Sequence, residues 1–355
     1  MSPPPDPARL PYLTADLPGS GGSVKAVPED FQVEEIPAYP PQGSGPHLWL
    51  LVEKRGRTTR DVVRALARAL SVPEREAGFA GLKDKQALTT QWLSFPSSAD
   101  PDPAALGGDG FRVLQIARHQ NKLRTGHLRG NRFRVVVQGG DLERARDAVR
   151  ALAARGLPNF YGQQRFGAEG DNAAVGRTLL VGRLDDPQVR RAARDRFLRR
   201  LCISAYQSLL FNRWLAQRIA DGLFARALPG DVMRRLPAGG FFVCQDPVAD
   251  QPRLERFEIS PAGPMFGHKL SPAAGEAAAR EARLLEAEGI ALEDFARRGG
   301  GEAEGARRAA RLPLSVELEP VPEGFAARFE LPPGSYATVV LREIVKGEEP
   351  ALPES

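Results

Sequence analysis

The stretch Phe79-Ala80-Gly81-Leu82-Lys83-Asp84-Lys85 is the densest run of chemically capable groups in the chain. A carboxylate between two ammonium groups stays anionic, because nearby cations favour the charged form, and in that form it can act as nucleophile or base. The same residues also describe a solvated turn whose charges balance. A second group, KLRTGHLRGNRFRV over 122–135, sets Lys122, Arg124, Arg129, Arg132 and Arg134 around two glycines. Such a loop can track phosphates, and the amide of Asn131 can pair with a base edge. It reads equally as a basic hairpin in which Asn131 shapes a turn. A third group, LPNFYGQQRFG over 157–167, mixes Phe160, Tyr161 and Phe166 with Gln163, Gln164 and Arg165. That mixture suits stacking on nucleotides, or the filling of a core. Phe31 in EDFQVEE and Phe329 in RFELPPGSYATVV, each taken alone, read as core residues.

Something must hold these groups in place, and hydrophobic periodicity suggests what. HLWLLVEK (47–54) reads as a buried strand, and TTRDVVRALARAL (58–70) as a helix with Thr58 or Thr59 near its cap. Further strands are predicted at 87–95, 111–117 and 131–138, and an amphipathic helix over 142–156 closes on Gly156. Strands mixed with helices indicate an α/β or α+β core. From about 171 the chain changes character, with Arg-rich helical segments over 186–220, a strand-like GFFVCQ (240–245) and a helix near 273–288. RRGGGEAEGARR (297–308) reads as a domain boundary loop. Strands at 314–319 and 325–331 and a helix in SYATVVLREIV follow. The first 20 residues, rich in Pro and Gly, should form an irregular or poorly ordered arm.

A chain of 355 residues with 42% hydrophobic and 26% charged side chains is neither disordered throughout nor collagenous, and its length suggests two domains. Its net charge of +5 hides an asymmetry: residues 1–110 sum to −3, residues 111–235 to +15 and residues 236–355 to −7. Of the 49 cations 42 are Arg, whose forked guanidinium suits phosphate, so a polyanionic partner is the first expectation. Cys202 and Cys244 stand apart without a CxxC pattern, and the four His are not spaced as metal ligands. No Walker loop, HExxH or nucleophile elbow is present. A metal-free reaction in a reducing cytoplasm is expected, without export or a membrane span.

Seven blocks in order, AGLKDKQALTTQW (80–92), KLRTGHLRGNRF (122–133), PNFYGQQRFG (158–167), ISAYQSLLFN (203–212), GDVM (230–233), ARRAARLP (306–313) and FELPPGSYATVVLRE (329–343), resemble the TruD family of tRNA pseudouridine synthases. The resemblance runs from about Val24 to Glu343. It implies isomerisation of uridine to pseudouridine, typically at position 13 of tRNA, without a cofactor. It puts the catalytic aspartate on Asp84, acting either by attack on the ribose C1′ or as the base of an elimination. It implies substrate contact for Phe31, Asn131 and Phe329, a pocket position for Phe133, and for Lys25 a partnership with Asp84 or a phosphate. The implied fold is an α/β catalytic domain on a mixed, largely antiparallel sheet, discontinuous over 24–159 and 311–345, with an inserted TRUD domain over 160–310 and an active cleft between the two. Segments 1–23 and 346–355 would be an arm and a tail. A monomer acting on tRNA is expected; the alternative is a non-catalytic tRNA-binding or RNA-remodelling protein.

Overall fold

A computed structural model of the chain describes residues 10–24, 27–167, 170–184, 186–237, 239–299 and 303–346. In chain order, β1 (Ser23–Val24), β2 (Phe31–Pro37) and β3 (His47–Lys54) precede helix α1 (Thr59–Ala69). Then come β4 (Gly78–Phe79), β5 (Leu88–Pro96), β6 (Phe111–His119), β7 (Leu128–Gln138) and α2 (Leu142–Arg155). The next stretch holds β8 (Leu157–Pro158), α3 (Asn172–Val181), α4 (Pro187–Arg194), α5 (Arg196–Ala220), β9 (Val232–Arg235), β10 (Phe241–Val243), α6 (Pro247–Glu255) and β11 (Ile259–Met265). It continues with α7 (Gly275–Glu288), α8 (Leu292–Asp294), β12 (Ala306–Ala309) and β13 (Arg311–Leu312), after which β14 (Val316–Val321), β15 (Gly324–Leu331) and α9 (Ala337–Val345) close the described chain.

The chain divides into two compact units, one formed by Leu17–Arg150 with the chain from Leu314 onward, the other by Ala151–Pro313 with the segment ending at Asp16. The first unit holds a mixed sheet of order β14-β15-β7-β2-β5-β3-β6, with β1 beside β7 and β4 beside β5. Its one parallel pair among the described strands is β2 with β5. Helix α1 begins in a capping box: Thr58 Oγ1 accepts from the Asp61 amide at 3.1 Å while the Asp61 carboxylate accepts from the Thr58 amide at 3.1 Å. Its buried stripe of Val62, Val63, Leu66 and Ala67 packs on Leu48, Leu50 and Val52 of β3 and on Leu93 and Phe95 of β5. The other face of β3 and β5 is covered too, by Trp49, Trp92, Leu123 and Tyr39. That double burial explains why β3 reads as a continuous apolar run rather than an alternating one.

In the second unit α5, of 25 residues, forms the spine, and Ile203, Tyr206 and Leu210 share a core with Leu179 and Leu180 of α3 and Val189 of α4. A Cβ at Gly176 would lie 2.0 Å from the Cys202 carbonyl oxygen, so only glycine lets α3 approach α5 this closely. A four-stranded antiparallel sheet β10-β9-β11-β12 and the pair β13-β8 complete this unit. RRGGGEAEGARR was expected to end a domain, but its last residues enter β12, which pairs with β11, and this unit continues to Pro313. Residues 10–22 lack regular strand or helix, as expected of an arm, yet they are not loose. Thr14 is fully buried, and both Asp16 carboxylate oxygens accept from Arg155 at 2.6 Å. Within the first unit the Ser20 amide donates to the Ile344 carbonyl at 2.8 Å. Among the described residues no helix is long and apolar enough to cross a membrane.

Candidate active site

Sheet register brings together side chains that lie far apart in sequence. Lys54 of β3 pairs with Thr89 of β5, Thr89 with Val33 of β2, Val33 with Phe133 of β7, and Phe133 with Phe329 of β15. These five stand in one row on one face, because paired residues point the same way. One pleat along, Glu35 pairs with Asn131 and Asn131 with Leu331. Phe329 stacks on Phe133 with centroids 5.3 Å apart and planes at 22°, and Phe31 meets Phe133 edge-on at 6.2 Å and 73°. All three rings are buried, so each belongs to the packed core as well as to this face. The side-chain oxygen of Asn131, Oδ1, is buried beside them without a hydrogen-bond partner, as is Thr89 Oγ1 in the row. A buried acceptor without a donor costs free energy unless something supplies one.

Asp84 joins this face through its backbone and its neighbour. The Lys54 ammonium donates to the Asp84 carbonyl oxygen at 2.6 Å, and Lys83 Nζ lies 2.7 Å from Glu35 Oε2, opposite Asn131. The loop is fastened at almost every residue. Ala80 O accepts from the Gly126 amide at 2.8 Å, Gly81 O from Gln91 Nε2 at 3.2 Å, and Thr59 Oγ1 from the Lys83 amide at 3.0 Å. Thr59 in turn donates to Gln91 Oε1 at 2.8 Å, and the Asp84 carboxylate accepts from the Gln86 amide at 2.9 Å. Strands β2, β3 and β5, helix α1 and the turn before β7 therefore all hold one half-buried aspartate in place. Such preorganisation is what a reacting carboxylate needs, since its position must be set before the reaction rather than during it.

The electrostatics differ from the pattern suggested by Lys83-Asp84-Lys85. The Lys83 side chain, nearly inaccessible, is paired with Glu35, and Lys85 is exposed. The cation that senses Asp84 from the protein interior is Lys54, which sequence reasoning missed. Burial first of all, and the Lys83 charge, push the Lys54 ammonium down while the Asp84 charge pulls it up, leaving it at about 8. A lysine ending an apolar strand looks like a solvated strand end. The one local hint is that it follows a strand without alternation, where even positions are covered.

The basic stretch 122–135 is split by the pleat. Asn131 and Phe133 face the aromatic cluster, while Arg132 bridges Glu34 at 2.9 Å and Glu330 at 2.8 Å, and Arg134 pairs with Glu319 at 3.0 Å. The reading of Arg132 and Arg134 as phosphate-tracking cations is thus corrected: neighbouring-strand glutamates already engage them, and those of Arg132 raise its pKa, Glu330 foremost. Arg124 and Arg129 are exposed. The 157–167 group is structural in the second unit. Phe160 is fully buried, the Tyr161 amide donates to Asn212 Oδ1 at 2.8 Å, the Arg308 guanidinium lies 4.0 Å from the Tyr161 ring centre, and Arg165 donates to Ser208 at 3.0 Å. Blocks 158–167, 203–212 and 306–313 thus form one knot. In GDVM, Asp231 takes a buried two-point ion pair from Arg218, at 2.9 and 2.6 Å. Lys25 lies outside the described residues.

The family model for tRNA pseudouridine synthase D (TruD) matches residues 9–188 and 187–344. The tRNA pseudouridine synthase D of Anaeromyxobacter dehalogenans is 71% identical over 345 residues, covering 97% of this chain and 98% of that protein. That of Thermus thermophilus is 46% identical over 346 residues, covering 96% and 94%. A crystal structure of a Methanosarcina mazei protein assigned to tRNA pseudouridine synthase D (TruD) superposes with a TM-score of 0.78 at 25% identity, over 97% of this chain and 98% of that one. Fold and relatives together define an isomerase. The chain belongs to the tRNA pseudouridine synthase D family.

Proposed function

We propose that this enzyme converts uridine 13 of tRNA to pseudouridine, with Asp84 as its catalytic carboxylate. The observation that carries the reading is the fastening of the Asp84 loop to Lys54 and, through Lys83, to Glu35, both on a face that also bears Asn131, Phe133, Phe329 and Phe31. The reaction breaks the bond between ribose C1′ and uracil N1 and makes one between C1′ and C5. The C5 proton is released and N1 gains one, so no atom is gained or lost. One anionic carboxylate beside a site that keeps the detached ring meets that requirement, by attack on C1′ or by taking a proton. The partnerless Asn131 Oδ1 would accept from the uracil imide N–H, and the Phe133 and Phe329 edges would bound the ring. Lys25 is assigned to Asp84 or a phosphate. The unit carrying the sheet is taken as the catalytic domain and the other as the inserted one.

Incubating the protein with an unmodified tRNA transcript and mapping pseudouridine by carbodiimide chemistry tests this. Product at position 13 with wild type, none when uridine 13 is replaced by cytidine, and a loss of at least about a hundredfold in Asp84→Asn are expected. Full activity in Asp84→Asn would overturn the catalytic assignment.

A further inference from the structure

The corner where α4 meets α5, in the second unit, is strongly cationic for a structural reason. Between residues 183 and 200 there are seven Arg and three Asp. Two of those aspartates cap helices: Asp186 Oδ1 accepts from the Gln188 and Val189 amides at 2.7 and 3.2 Å, and Asp195 Oδ1 from the Phe197 and Leu198 amides at 2.8 and 3.0 Å. Capping turns their charge toward backbone N–H groups and not toward the arginines. Helix α4 buries Val189 and Ala192 and leaves Arg190, Arg191 and Arg194 exposed, and among the described residues no carboxylate pairs with Arg191 or Arg194. In the midst of these cations Phe197 is 69% exposed. A phenyl ring left in water adds little to folding. It borders an open depression of roughly 670 Å³ that Pro187, Arg190, Arg191, Arg194, Asp195 and Arg196 also line.

An aromatic face bordered by guanidinium groups suits a base stacked on the ring with its flanking phosphates on the cations. A duplex offers no free base face, and a bare polyanion does not need the ring. We propose that the α4–α5 corner is an RNA-contact surface that holds an unpaired nucleotide of the substrate, with the base on Phe197 and phosphates on Arg191 and Arg194. The proposal rests on the reading that the substrate is tRNA.

The test uses the full chain, as wild type, Phe197→Ala and the double variant Arg191→Gln/Arg194→Gln, whose side chains are exposed and whose melting temperatures serve as folding controls. Kd for a tRNA transcript is measured from about 50 to 300 mM salt, with kcat and KM for pseudouridine formation, and binding of base-free polyphosphate is measured alongside. Phe197→Ala is expected to raise Kd and KM for tRNA by about 5- to 150-fold, with kcat and polyphosphate binding unchanged. The double variant is expected to flatten the slope of log K against log salt by about 1.4, the single-strand value for two phosphates. Unchanged Kd and slope in both variants, beside an active wild type, overturn the surface. Loss confined to the arginine variant, or a polyphosphate affinity that falls equally with Phe197→Ala, overturns the stacked base. Absence of product from wild-type enzyme, read first in the same assay, overturns instead the tRNA reading beneath it.

Discussion

Lys54 and the Lys83–Glu35 pair hold the Asp84 loop in place. Because burial holds the Lys54 pKa near 8, below its ordinary 10.5, the folded protein binds that proton less tightly than the unfolded chain. The cost of burying the charge is therefore fully present below about pH 8 and is relieved as pH climbs toward 10.5, so this group makes stability rise over that window. Activity should move the other way. As Lys54 loses its proton, its contact with the Asp84 carbonyl loses its charge-assisted strength, so kcat/KM is expected to fall above about pH 8. Lys54→Met should lower the rate tenfold or more and abolish that alkaline limb; a limb that persists in the variant would assign it to another group. Glu35→Gln leaves the inaccessible Lys83 ammonium without its counter-charge. Breaking a buried pair from one side costs about 3–5 kcal/mol, read by denaturant melts, and Glu35→Gln/Lys83→Met should recover most of it.

At the scale of elements, the site depends on how closely β7 and β15 approach. A Cβ at Gly130 would lie 2.4 Å from the Leu331 carbonyl oxygen, a backbone atom that cannot turn aside. Leu331 pairs with Asn131 and Phe329 with Phe133, so spreading the strands there displaces both rows at once. Gly130→Ala is expected to cost about 1–3 kcal/mol and to raise KM more than it lowers kcat. An unchanged KM would show that the face tolerates the shift. The elements themselves were largely legible. The α1 helix with its cap at Thr58 or Thr59, the strands at 47–54 and 111–117, and the helix in SYATVVLREIV follow from local periodicity and capping, and the structure puts the cap on Thr58. The partnership of Phe133 with Phe329 did not, because it depends on pairing across nearly 200 residues.

For the whole molecule, the +15 of residues 111–235 overstates the cationic surface available to RNA. Arg132 and Arg134 are engaged by glutamates from β2, β14 and β15, and Arg218 by Asp231. Arg129, exposed, and Arg132, ion-paired, should therefore respond differently to neutralisation. Arg129→Gln is expected to flatten the salt slope of tRNA binding by about 0.7–0.9, the value for one phosphate. Arg132→Gln should change that slope less and lower stability by about 1 kcal/mol, as for exposed ion pairs. Equal effects of the two on the slope would contradict this division.

The sequence by itself determined the alternation of strands and helices, the chemical types at Asp84, Asn131 and the three phenylalanines, and an ordered set of blocks specific enough to name a family. Those are local properties, carried by spacing and residue type. Only the tertiary structure decided which cations are spent on carboxylates from distant strands, that Lys54 is buried against the Asp84 loop, and that Lys83 belongs to Glu35. Sheet register settles these points, because strand neighbours set what a side chain touches whatever their separation along the chain.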